Sequence, residues 1–239
     1  MKSYQWLLVI LALAIFSSHS NVEASGFLLP KEYFNVVKEV DDKQVIQNTA
    51  NEVMLVNRDF YLSSDYVPTD LVIPDVIFAF GKQDVEKAYL RKAAADALEK
   101  MFAASGLDNC RLIAVSGYRS YKRQEELFNE KVDKTSEIEA MQWVAIPGTS
   151  EHQTGLTMDI LSDIHQDLDQ DFDKTADFAW LQDHAHLYGF ILRYPKGKED
   201  ITGYNYEPWH YRFVGVDIAN KIYKSQLTLE EFIDRATAQ

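Results

Sequence analysis

From Gln83 to Ala236, helix-period and strand-length apolar runs alternate without the regular strand–helix–strand spacing that a parallel sheet requires. Val85, Ala88, Tyr89, Ala95, Leu98, Met101 and Phe102 fall largely at i, i+3, i+4 positions. That pattern predicts an amphipathic helix over 83–105, with Gly106 as its C-terminal cap. Short strands are expected at 112–115, 156–161, 190–193 and 206–214, and helices at 121–131, 136–143, 175–187, 217–223 and 229–236. The mixture implies an α+β fold: a small, largely antiparallel sheet flanked by helices in a single domain over 81–239. Residues 25–80 read as an N-terminal extended arm. Pro30, Pro68 and Pro74 punctuate it, and the apolar patches Val53–Val56 and Leu71–Ile73 are too brief for helices.

The first 24 residues are a different object. Lys2 precedes an uncharged run of 11 residues, Trp6–Phe16, and Ser17, Ser18, His19 and Ser20 follow it. The run is shorter than the roughly 20 residues that span a bilayer and within the roughly 7–15 of a signal-peptide core. Small residues permit cleavage after Ser20 or after Ala24. Residues 1–24 are therefore read as a signal peptide ending at Ala24, with an uncleaved anchor as the alternative, and the mature chain is expected to work outside the cytoplasm. A single cysteine, Cys110, excludes an intramolecular disulfide framework and any multi-cysteine metal site. The net charge of −13 argues against nucleic acid and against anionic lipid as partners, and no stable protein partner is implied.

Five histidines follow Ala24. His152 lies in PGTSEHQTGLTMDI, where Gly148 and Gly155 permit a tight loop before a strand that carries Asp159. Alone, this spacing equally fits a surface histidine and a strand-end acid. Glu207 and His210 stand three apart in EPWHYR, where a strand would place them on opposite faces, but a bulge or turn at Pro208 would bring both inward. Together, His152, Asp159 and His210 make a two-histidine, one-carboxylate set that suits one Zn²⁺ with a fourth position left open. Glu207 is the adjacent acid not needed as a ligand, and so the natural general base. Arg119 in SGYRS follows the 112–115 strand. It either points into a cleft, where it would bind a carboxylate or an oxyanion, or is a surface residue in a helix's first turn. The alternating Asp167, Asp169, Asp171 and Asp173 lack the Gly and Glu of a calcium loop, since Phe172 and Phe178 occupy those positions.

Five ordered segments carry a family resemblance: LVNRDFYLSSDYVPTDL, SGYRSYKRQ, PGTSEHQTGLTMDI, WLQDHAHLYGFILRYPKGK and TGYNYEPWHYRFVG. Between about Leu55 and Gly215 the chain resembles the zinc D-alanyl-D-alanine carboxypeptidases of the VanY type. That group includes the D-Ala-D-Ala dipeptidases and the L,D-carboxypeptidases of bacterial cell walls. The resemblance implies a zinc D-Ala-D-Ala carboxypeptidase that removes the C-terminal D-Ala from peptidoglycan stem peptides in cell-wall maturation. His152, Asp159 and His210 would hold the metal, Glu207 would be the base and Arg119 would stabilise the oxyanion. Ser150 and Gln124 match positions associated with substrate, and Tyr118 and Ser116 are expected to line the same cleft. The alternatives are an L,D-carboxypeptidase acting on tetrapeptide stems, a stem-peptide endopeptidase, or a non-catalytic wall-binding module. Retention of a base beside the ligands counts against the last.

Overall fold

Three of the expected strands hydrogen-bond edge to edge with a shortened fourth to build the central sheet of the computed structural model. The structure describes residues 26–239, so the signal-like segment lies outside the described residues. Ahead of the sheet come short strands, β1 (Phe27–Leu29), β2 (Val37–Val40), β3 (Lys43–Ile46), β4 (Phe60–Tyr61), β5 (Leu71–Val72) and β6 (Leu90–Arg91), with 3₁₀ turns at Lys31–Tyr33 and Glu86–Ala88. Then follow α1 (Lys92–Leu107), β7 (Leu112–Ser116), α2 (Tyr121–Lys134), α3 (Glu137–Trp143), β8 (Thr157–Ser162), α4 (Ala176–His184), β9 (Phe190–Leu192), α5 (Glu199–Thr202), β10 (His210–Phe213), α6 (Val216–Ser225), α7 (Leu229–Asp234) and β11 (Ala236–Ala238). The sheet order is β7-β8-β10-β9, with every neighbouring pair antiparallel. This is the α+β architecture that the irregular alternation implies.

The two central strands, β8 and β10, are buried along their whole length. Met158 and Ile160 of β8 and Tyr211 and Phe213 of β10 enter the main core, with Leu98 and Met101 of α1. Side chains alternate across a strand, so Asp159, His210 and Arg212 project from the opposite face. A second core gathers Ile191, Val214, Ile218, Ile222, Leu229 and Phe232 around α6 and α7. The brief patch at 53–56 joins the two cores by the same alternation. Met54 and Val56 pack in the first core, Val53 and Leu55 in the second.

Local pattern and tertiary pairing disagree at three places. The helix expected from Gln83 begins at Lys92, because Leu90–Arg91 is drawn out to pair antiparallel with Leu71–Val72. It also runs through Gly106 to Leu107, and Asn109 takes the left-handed conformation (φ 59°) just beyond it. The strand expected over 206–214 is confined to 210–213, because a turn at Pro208–Trp209 precedes it. The helix expected over 175–187 stops at His184 and tightens into a 3₁₀ turn over Ala185–Tyr188. Cys110 is buried as a free thiol.

Gly117 lies between β7 and α2, where the chain presses against the segment before β6. Its amide donates to the Lys87 carbonyl at 2.7 Å. A Cβ added there would lie 2.5 Å from the Tyr89 carbonyl oxygen, which is backbone and cannot swing away. Gly117→Ala is therefore expected to cost about 1–3 kcal/mol, as overpacking does. Gly106→Ala, on a helix with open space around it, is expected to be neutral or stabilising. Urea unfolding of the two variants checks this, and equal midpoints would contradict it.

Candidate active site

Asp159 and His210 are direct cross-strand partners in the β8–β10 ladder. Opposite residues in an antiparallel pair have Cβ atoms about 4.5–5.5 Å apart, so the pairing alone brings the two side chains together. His152 arrives from a 3₁₀ turn, Glu151–Thr154, which Gly155 ends in the left-handed region (φ 66°) to start β8. A β-bulge in β7, between Ala114 and Ser116, lies opposite Ile160 and Asp159 and redirects the chain toward Arg119. Glu207 and His210 share a side because they open and close one tight turn, in which the His210 amide donates to the Glu207 carbonyl at 3.2 Å. The turn option at Pro208 is the one the chain takes.

The three ligand candidates are buried, and each offers an atom within 4.8 Å of the others. Zinc bonds of about 2.0–2.2 Å at a tetrahedral angle hold neighbouring ligand atoms roughly 3.3–3.6 Å apart. Nε2 of His152 stands 3.6 Å from Oδ2 of Asp159, and Nδ1 of His210 stands 3.5 Å from Oδ1. Oδ1 of Asp159 is buried with no hydrogen-bond partner, as suits an atom meant for a cation. Nδ1 of His152 lies 2.8 Å from the Gly117 carbonyl, which leaves Nε2 free to ligate.

Burial lowers the His152 pKa well below its ordinary value, so this ring is neutral and ready to ligate. Burial raises the Asp159 carboxyl to about 6, against the opposing pull of His210 and Arg119. For His210, burial favours the neutral ring, but Glu151, Glu207 and Asp159 outweigh it and lift the pKa to about 9.

Glu207 places Oε2 3.3 Å from Nδ1 of His210, on the metal side of the ring. A cleft of about 380 Å³ opens here, lined among others by Arg119, Gln124, Ser150, Glu207 and Trp143. Arg119 is fixed by Gln124 Oε1 at 2.9 Å and by Ser116 Oγ at 3.3 Å. The Gln124 amide nitrogen donates to the Ala145 carbonyl at 2.7 Å, so both ends of this buried side chain are engaged. Ser116 and Tyr118 line a cleft of about 470 Å³ that is continuous with the first, sharing Arg119, Leu127, Asp159 and Leu168 with it.

Sequence reasoning passed over Glu151, which is fully buried between Ser150 and His152. Its Oε1 accepts from Arg193 Nε at 2.8 Å and Arg212 Nη1 at 2.6 Å. Burial alone would raise its pKa, but the two guanidinium groups hold it below the usual carboxylate range. An acid directly beside a candidate ligand was the signal available. His165 is half-buried near Phe172 and meets Asp169, while in the acidic loop Asp171 pairs with Lys174 at the surface.

The family model VanY, D-alanyl-D-alanine carboxypeptidase, matches residues 87–216. The protein YodJ of Bacillus subtilis strain 168 is 50% identical over 220 residues, covering 92% of this chain and 80% of its own length. Among solved structures, the LD-carboxypeptidase LdcB is 50% identical with a TM-score of 0.86, over 89% of this chain and all of its own. A vancomycin-resistance D,D-pentapeptidase VanY, solved with Zn(II), is 34% identical with a TM-score of 0.63, over 76% of this chain and 98% of its own. The His152, Asp159 and His210 set is thus the site of one zinc ion.

The purified protein is expected to carry one zinc, and His152→Ala and His210→Ala to lose it by metal analysis. Protons compete for the same atoms, so affinity should rise with pH from about 6, where Asp159 gives up its proton, to about 9, where His210 does. Chelator competition across that range checks the sign. A pH-independent constant would contradict it.

Proposed function

Because the chain belongs to the VanY family of zinc D-alanyl-D-alanine carboxypeptidases, we propose that it is an L,D-carboxypeptidase that removes the terminal D-Ala from tetrapeptide stems of peptidoglycan outside the cytoplasm. The observation that carries the reading is the match to the LD-carboxypeptidase LdcB at 50% identity and TM-score 0.86, against 34% and 0.63 for the D,D-pentapeptidase. Cleft shape supports it. An L,D substrate carries a long side chain on the residue before D-Ala, where a D,D substrate has a methyl group. The cleft runs past the metal ligands to Glu130, Lys131 and Lys134, which offers length and charge for such a chain. The signal-like run before Ala24 supports action outside the cytoplasm, where stem peptides are found.

When bound, zinc supplies Lewis acidity and a nucleophile available at neutral pH. Glu207 is the proton carrier in this reading. Its carboxylate takes a proton from the attacking water and delivers it to the departing amine of D-Ala. Arg119, held by Gln124 and Ser116, keeps a guanidinium at the edge of the cleft, where charge develops on the carbonyl oxygen. Gln124 thereby serves substrate through Arg119. The Ser150 hydroxyl lines the wall and is a donor for the terminal carboxylate. Ser116 and Tyr118, in the adjoining cleft, flank the other side of Arg119.

A D,D-carboxypeptidase is the second reading, favoured by the description of the family model itself. Mass spectrometry of muropeptides decides between them. The L,D reading expects tetrapeptide to become tripeptide while pentapeptide persists, and rapid conversion of pentapeptide to tetrapeptide would overturn it.

With the preferred substrate, Glu207→Gln should keep its zinc and lose about 10²–10⁴-fold in kcat. Arg119→Ala should lose roughly 10²–10³-fold, with poor rescue by Lys, which lacks the planar fork. Near-normal turnover in Glu207→Gln, or loss of zinc along with activity, would remove Glu207 from the role of base.

A further inference from the structure

Two buried polar atoms face each other with no other partner. Nε2 of His210 and Oε2 of Glu151 are 3.6 Å apart, and neither makes a hydrogen bond elsewhere. The two ligand histidines are also mounted in opposite senses. His152 turns Nδ1 to the Gly117 carbonyl and presents Nε2 to the site, whereas His210 presents Nδ1 and turns Nε2 away, toward Glu151.

Glu151 in turn is held from the far side. Arg193 and Arg212 both donate to Oε1. Arg193 also donates through Nη1 and Nη2 to the two carboxylate oxygens of Glu230, and Arg212 through Nη2 to the carbonyls of Glu52 and Met54. Two guanidinium groups and two carboxylates balance in charge, in a region where an unpaired ion would be costly. Such an assembly is a poor way to gain stability, since well-packed apolar residues of similar volume serve as well or better. It is a good way to hold one carboxylate oxygen motionless, because every oxygen of Glu151 but Oε2 is already committed.

We propose that Glu151 is a positioning residue for the metal centre: it holds the Nε2–H of His210, so that the ring offers the Nδ1 lone pair to zinc, and Arg193 and Arg212 hold Glu151. A slight rotation of the ring closes the 3.6 Å gap to hydrogen-bond length. The role is independent of which stem peptide is cut.

The first test needs no variant. In zinc-loaded protein labelled with ¹⁵N-histidine, two-bond nitrogen–proton correlations report which ring nitrogen carries the proton. His210 is expected with its proton on Nε2 and His152 with its proton on Nδ1. A proton on Nδ1 of His210 would overturn the proposal.

The second test is Glu151→Gln. The amide oxygen stays with the two arginines, and the NH₂ group is left facing Nε2–H, donor against donor. Loss of such an outer partner typically costs roughly 10–100-fold in metal affinity, and that weakening is expected in chelator competition. Glu230→Gln loosens the same network at its far end without touching His210. It should lower the melting temperature while leaving zinc affinity and the His210 proton position as they were. A folded Glu151→Gln protein with undiminished zinc affinity would overturn the proposal. If that variant does not fold, the proton position in the unchanged protein decides alone.

Discussion

The pairing of Asp159 with His210 across β8 and β10 is the contact on which the rest of the site is built. Neither side chain could be aimed by its own segment. Each is aimed because its neighbours, Met158 and Ile160 on one strand and Tyr211 and Phe213 on the other, are driven into the core, which leaves the intervening residues on the far face. A one-residue slip of register would bury a carboxylate and an imidazole among aliphatic side chains and turn Tyr211 and Met158 outward. Apolar burial thus sets the position of the metal-binding cluster. The 3₁₀ turn before β8 and the tight turn before β10 then need to deliver only one residue each, His152 and Glu207.

Charge in this region is arranged by depth. Glu151, Arg193 and Arg212 are enclosed and pair through Oε1 of Glu151, with Glu230 partly buried behind them. Arg119 and Glu207 face the cleft with capacity to spare for a ligand. The deep layer is costly to assemble and chemically silent, while the outer layer meets substrate. Separating them lets the outer groups respond to a changing charge without disturbing the metal ligands. Preorganised polar sites require this division, because groups that must reorient during a reaction lose much of their effect.

Much of this was legible in the chain. The metal set, and the acid proposed as its base, could be picked out because each lies in a short, punctuated segment: Gly148 and Gly155 around His152, Pro208 between Glu207 and His210. The α+β class followed from the irregular alternation of periods. What escaped depends on contacts distant in sequence. Glu151, Arg193 and Arg212 are ordinary charged residues where they stand, and only three converging elements make them an enclosed network. The true start of α1 was hidden because Leu90–Arg91 is claimed by a strand some twenty residues earlier.

One further feature bears on how the molecule comes into being. β1, at Phe27–Leu29, lies parallel to β11, at Ala236–Ala238, and both border the second core. A strand with no partner is an exposed template for other chains. As the chain is made, the first described strand must wait for the last, so among the described residues the β1–β11 contact has a very long loop to bridge. A chain halted before β11 would already carry every residue of the metal site, with β1 left unpaired at the second core. It would share nearly all the sequence of the finished protein while exposing an unpaired strand, as aggregation-prone intermediates do.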